Sequence, residues 1–204
     1  MTELSKAITS FLHLFGFDIY KYSILRDMCN YVNENKKGEL VGVEIGVHKG
    51  DNAKQMLKRM NLKMLYLIDP YELYNGYQDG INLNNMHNTT FNKTKKEMER
   101  KLKKYKGKYT LIEKMSEQAV NEIPDNLDFV YIDGNHEYKY VKKDIELYYK
   151  KVKDGGVFGG HDFLGLNFND VRNAVIDFLK KYNLQLYVGY NNDWWVVKGV
   201  KREK

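Results

Sequence analysis

The chain has 204 residues, 43% of them hydrophobic, and a formal net charge of +6. This length and apolar content exclude a disordered chain and suffice for one domain with a sizeable core. No apolar run approaches the roughly 20 residues of a membrane span, the N-terminal Met-Thr-Glu-Leu-Ser-Lys lacks the pattern of a signal peptide, and a single cysteine, Cys29, excludes an internal disulfide and fits a reducing, cytoplasmic location.

In chain order, residues 3–14 and 20–35 have helical spacing, with apolar positions such as Ile24, Leu25, Met28 and Val32. Leu40 to Ile45 is the first strong strand, Asp51 to Met60 a helix, and Met64 to Ile68 a second strand stopped by Asp69-Pro70. A Tyr- and Asn-rich loop over 71–83 leads to a long charged helix over 84–105. Tyr109 to Glu113 is a third strand, Ser116 to Glu122 a short helix, and Leu127 to Ile132 a fourth strand. Residues 137–152 place Val141, Ile145, Tyr148, Tyr149 and Val152 on one helical face, closed by Asp154-Gly-Gly156 before a short fifth strand, Val157 to Gly160. A helix over 169–182 and a hairpin, Leu184–Tyr190 with Trp194–Lys198, end the pattern. Trp194 and Trp195 are expected to point to opposite faces, one ring to the core and one outward. Strands alternating with helices imply a doubly wound α/β sheet, and the hairpin adds an antiparallel strand. The expected organisation is one domain, with a helical cover over 1–37 and the catalytic fold over 38–200.

Three motifs carry chemistry. Val43-Glu44-Ile-Gly46-Val47-His48-Lys-Gly50 is a Gly-rich turn between a strand and a helix. Its glycines are more widely spaced than in the dinucleotide fingerprint G-x-G-x-x-G, which suits a nucleoside without a pyrophosphate. Gly46 permits close backbone approach, Gly50 frees the helix start, and Glu44 is suited to a cationic amino-acid end. Asp69, ending the next strand, is placed for ribose hydroxyls. The second and third motifs, Asp133-Gly-Asn-His136 and Gly160-His161-Asp162, end two strands joined by one helix. Parallel neighbours of that kind bring their carboxyl ends side by side, so these polar groups are expected in one crevice.

The order of motifs over roughly 38–200 resembles the class I S-adenosylmethionine-dependent methyltransferases. The resemblance implies a Rossmann-like, doubly wound seven-stranded sheet with a terminal antiparallel hairpin. It implies that Glu44, Gly46, Val47 and Gly50 hold the methionine part of S-adenosylmethionine and Asp69 the ribose, with Met115 and Ser116 on the adenine side and Asp133 at the border with the acceptor. The second half of the chain resembles the metal-dependent O-methyltransferases, those of macrolide sugars and glycans above all. That likeness implies a divalent metal, Mg²⁺ or Mn²⁺, held by Asp133, His161 and Asp162. It makes Asp133 and His136 the catalytic residues, with His136 as the base.

The physical logic agrees with that assignment. An alcohol is a poor nucleophile at neutral pH, a divalent cation stabilises the developing alkoxide, and a histidine with an ordinary pKa near 6.5 accepts the proton. One position departs from the family pattern, which has an acidic residue where this chain has His161. Imidazole suits Mn²⁺, Fe²⁺ or Zn²⁺ better than Mg²⁺. His161 therefore stands open between metal ligand, substrate contact and base.

The expected partner is a small hydroxylated molecule or glycan, with Tyr71, Tyr74 and Tyr77 near its entrance and Phe163 to Asn169 as a lid. No membrane partner is expected, and the N-terminal helices suit a homodimer. A nucleic-acid methyltransferase is the alternative suggested by the charge. Against it, only five residues are arginine, and the densest basic run, Lys93 to Lys108, is interleaved with Glu97 and Glu99 as on a solvated helix. A cofactor-binding protein without catalysis is the other alternative.

Overall fold

A computed structural model of the chain describes residues 25–72, 88–164 and 169–202. Seven strands form one sheet in the order β3-β2-β1-β4-β5-β7-β6. They are β1 (Leu40–Ile45), β2 (Leu62–Ile68), β3 (Tyr109–Ile112), β4 (Leu127–Ile132), β5 (Val152–Gly160), β6 (Tyr187–Val188) and β7 (Trp194–Val197). The first five are mutually parallel, and β7 runs antiparallel to both β5 and β6. The described helices are α1 (Asp27–Asn35), α2 (Asp51–Arg59), α3 (Asn88–Leu102), α4 (Ser116–Ala119), α5 (Tyr138–Tyr148) and α6 (Asn169–Tyr182). The doubly wound seven-stranded sheet with its terminal hairpin is thus the expected fold.

Strand alternation divides the core between the two faces of the sheet. In β4 every residue is buried. Val130 and Ile132 join one cluster with Val141, Ile145 and Phe178, while Phe129 and Tyr131 join the other with Met28, Met56 and Met98. A strand buried on both faces reads as the continuous apolar run seen in the sequence, because helices cover both sides. The central order matters for function. β1 lies between β2 and β4, so the chain's crossover direction reverses beside it, and the crevice at the carboxyl ends opens there.

Several expectations are corrected. The helix expected over 137–152 ends at Tyr148 and continues as a 3-10 turn, after which β5 already begins at Val152. Asp154-Gly-Gly156 is therefore not a helix cap. It forms an irregularity within β5, where pairing with β4 shifts register and Gly155 has φ +72. Bonds from Gly155 N to Lys198 O (2.9 Å) and Lys198 N to Gly156 O (2.8 Å) hold this segment in the sheet. The first hairpin strand is only Tyr187–Val188, shorter than Leu184–Tyr190. Trp195 does not face solvent: both tryptophans are buried, on opposite faces. Tyr31 of α1 and Tyr187 cover Trp195 with ring centroids 5.4 and 5.9 Å away. The helix expected over 3–14, together with Tyr74 and Tyr77, lies outside the described residues, as do most of the 71–83 loop and the middle of the 163–169 segment.

Candidate active site

The turn after β1 is built by two close approaches. Gly46 has φ +84, and a Cβ there would overlap the backbone carbonyl of Asp133. Gly46 N donates to Ile68 O (2.9 Å) and Asp133 N to Ile45 O (2.8 Å), so the ends of β1, β2 and β4 are locked together. Asp69 then organises the turn. One of its oxygens accepts from Val47 N (3.0 Å) and His48 N (2.8 Å), and the other from Tyr71 N (2.9 Å). The Tyr71 hydroxyl returns a bond to His48 O (2.7 Å), so Tyr71 holds the turn. Gly50, with φ +72, packs against Met98 where α2 begins.

A cavity of about 220 Å³ opens over these strand ends. Gly46, His48, Asp69, Tyr71, Met115, Ser116, Asp133 and His136 all line it. Glu44 lies beneath, fully buried, with Oε1 accepting from Asn52 Nδ2 (3.0 Å) and Oε2 without a partner among the described residues. Burial pushes the Glu44 carboxyl up to about 8 even though Asn52 pulls the other way.

The second cluster stands at the ends of β4 and β5. Asp133, His136 and Asp162 each offer a ligand atom, all within 4.8 Å of one another. His136 Nε2 lies 2.9 Å from Asp162 Oδ2. His161 Nδ1 lies 2.9 Å from Asp162 Oδ1 and 3.8 Å from Asp133 Oδ1. All four expected residues thus converge, and among them His136 joins the two aspartates in the compact trio while His161 flanks it. Two carboxylates and an imidazole suit a borderline divalent cation, and carboxylates alone suit a hard one.

Asp162 has φ 64, in the left-handed region that side chains rarely adopt, and aspartate is among those that tolerate it. Its backbone is pinned on either side, by His161 N to Ile132 O (2.9 Å) and Phe163 N to Asn192 O (3.0 Å). Burial would raise the Asp162 carboxyl, but hydrogen bonds from His136 and His161 outweigh it and hold the group well below the usual carboxylate range. Burial lowers His161, yet the bond to Asp162 and the field of Asp133 leave it raised overall. Asp133 is raised by burial, against the pull of His161 and Arg26.

Three residues of the site belong to none of the sequence motifs. Arg26, just before α1, brings its guanidinium within 3.6 Å of Asp133. Asp193, in the hairpin loop, is fully buried and accepts from Met28 N (2.9 Å) and the Tyr131 hydroxyl (2.7 Å). Asp144, on α5, lines the cavity. Helical spacing could have flagged Asp144, because it falls on the same face as Val141, Ile145 and Tyr148.

Residues 43–163 match a family model described as a methyltransferase domain. The uncharacterized protein R132 of Acanthamoeba polyphaga mimivirus is 28% identical over 138 residues, which are 66% of this chain and 56% of that protein. The chain thus spans little more than half the length of this relative. Among solved structures, the O-methyltransferase NovP is 17% identical, with a TM-score of 0.63 covering 86% of this chain and 78% of that one. CalS11, a TDP-rhamnose 3'-O-methyltransferase of calicheamicin biosynthesis, is 13% identical, with a TM-score of 0.54 over 84% of this chain and 76% of that one. An rRNA methylase from Streptococcus thermophilus is 11% identical, with a TM-score of 0.60 over 90% and 100%. At such identities the likeness is one of fold, and the fold is common to enzymes with different acceptors.

Proposed function

Because the chain belongs to the methyltransferase domain family, we propose that it moves a methyl group from S-adenosylmethionine to a hydroxyl of a sugar, glycan or similar small acceptor, with the help of a divalent cation. The observation that carries this reading is shared membership. Asp133 and His136 line the cavity and also belong to the trio with metal-ligand spacing. A cofactor lying in the cavity would therefore end next to the cluster that prepares the acceptor.

The residues fit a nucleoside cofactor. The Gly46 turn meets the cavity through its backbone, held close against that of Asp133, and Asp69 is already fixed at the cavity wall. Bound there, S-adenosylmethionine would supply an electrophilic methyl group. Asp133 and Asp162 form the donor pair for a cation, with His161 flanking them; the cation would stabilise negative charge on the acceptor oxygen. His136 is oriented by Asp162, and this carboxylate favours the imidazolium that forms on proton uptake. His136 would take the proton of the acceptor hydroxyl as that oxygen receives the methyl group. Holding the oxygen in line with that methyl group is the main demand on the site.

The test is methyl transfer to a panel of sugars, glycans and catechols, with Mg²⁺, Mn²⁺ or EDTA present. The expected result is transfer to oxygen that EDTA abolishes and one of the two cations restores. Transfer unaffected by EDTA overturns the metal's role. Transfer to RNA or DNA alone, with strongly salt-sensitive binding, overturns the acceptor class.

A further inference from the structure

Asp144 breaks the pattern of its helix. Val141, Ile145 and Tyr148 form the buried face of α5, and Asp144 lies among them, only 4% exposed. A carboxyl in that position must be satisfied, because burying a polar group without partners is strongly unfavourable. Its one hydrogen bond among the described residues comes from the Ser116 hydroxyl to Oδ1. Oδ2 is directed toward Gly134, 4.0 Å from where a Cβ on that glycine would be. Asp144, Ser116 and Gly134 all line the cavity. The carboxyl thus presents one oxygen, unpartnered among the described residues, to a cavity whose neighbouring walls, Ile68, Met115 and Tyr140, are largely apolar. Among the described residues no cation pairs with it, and burial raises it to about 7, against the Ser116 bond and with a contribution from Glu117.

What such a site lacks is a donor on a flat, apolar ligand. The Gly46 turn and Asp133 occupy the end of the cavity next to the metal-capable trio, where the reacting methyl belongs. Asp144 is tied instead to Ser116, at the start of α4 after β3, the end left for the nucleobase. Resting on the cofactor proposed above, we infer that Asp144 reads the exocyclic amino group of the cofactor's adenine, with Ser116 as the residue that positions its carboxyl. An amino N–H would satisfy the open oxygen of the ionised carboxylate, so the comparison is made at pH 8.5, where the carbonyl of a hypoxanthine at the same place would face it oxygen to oxygen.

The experiment compares S-adenosylhomocysteine, S-inosylhomocysteine and the N6,N6-dimethyl analogue of S-adenosylhomocysteine by calorimetry on the full chain. The wild type is expected to bind the adenosyl compound at least about tenfold more tightly than either analogue, because a buried acceptor discriminates strongly against a ligand without its donor. Asp144→Asn, which can turn its amide to face a carbonyl, is expected to bring the inosyl and adenosyl affinities within about threefold of each other. Wild-type binding of the dimethyl analogue as tight as that of S-adenosylhomocysteine overturns the inference without recourse to any variant. An unchanged adenosyl-to-inosyl ratio in Asp144→Asn overturns it as well. If the wild type binds none of the three, the cofactor reading itself has failed, and this inference with it.

Discussion

Asp193 accepts a hydrogen bond from the backbone N–H of Met28 at 2.9 Å, joining the hairpin loop near the end of the chain to the first turn of α1. The same carboxyl takes the hydroxyl of Tyr131 from the centre of the sheet. One buried side chain thereby fixes α1 over β4 and, through α1, sets Arg26 beside Asp133. Cover and site are coupled through it.

Asp193→Ala is expected to lower stability by about 2–4 kcal/mol, because it leaves a buried N–H and a buried hydroxyl without an acceptor. Asp193→Asn, which keeps an acceptor oxygen, loses less. Urea unfolding of the two variants measures the difference, and equal losses would show that the hydrogen bonds are not the cause.

Gly46→Ala and Gly107→Ala separate backbone strain from collision. Both glycines have positive φ, but a Cβ at Gly46 meets the Asp133 backbone and one at Gly107 meets nothing within 4 Å. Gly107→Ala should cost about 1 kcal/mol, from strain alone. Gly46→Ala should cost several times that and abolish S-adenosylhomocysteine binding, as read by thermal shift and calorimetry.

Glu44 predicts a pH slope in stability. Its folded value near 8 lies above its ordinary 4.5, so the folded chain holds a proton that the unfolded chain has released between those values. The stability this group contributes is fully present below about 4.5 and is lost as pH rises through 8. Glu44→Gln does not titrate and should gain on the wild type across that window, by on the order of 3–5 kcal/mol at its upper end. Denaturant midpoints at pH 5 and pH 8.5 measure the gain; parallel profiles would refute a protonated Glu44.

His136→Gln removes the proposed base and leaves the Gly46 turn and Asp69 unaltered. Turnover should fall by about 10²-fold or more, with binding of S-adenosylhomocysteine kept within about threefold. Asp162→Asn should in addition abolish any rise in Tm produced by Mn²⁺. A His136→Gln enzyme with wild-type turnover would pass the role of base to His161.

The fold was legible in the sequence because its signals are local. Alternating or continuous apolar runs of strand length, Asp69-Pro70 as a stop and the helical spacing around Val141 and Ile145 each act within a few residues. The ends of β5 and α5 were misread for the same reason: Asp154-Gly-Gly156 has the composition of a helix cap, and only pairing with β4 and β7 makes it part of a strand. Alternation puts Trp194 and Trp195 on opposite faces but does not say what covers each face, and α1 covers that of Trp195.

By itself the sequence determined the order of strands and helices and the two strand ends that bear Asp133, His136, His161 and Asp162, since side-chain chemistry and periodicity are properties of the chain. Tertiary structure alone decided that His136 stands with both aspartates, that Glu44 lies beneath the turn, and that Asp69 is engaged by the backbone of that turn. It also brought Arg26, Asp144 and Asp193 to the site from segments far apart in the chain. Their places depend on packing distances and on the hydrogen bonds that buried polar groups must make, and neither is written in the spacing of residues along a chain.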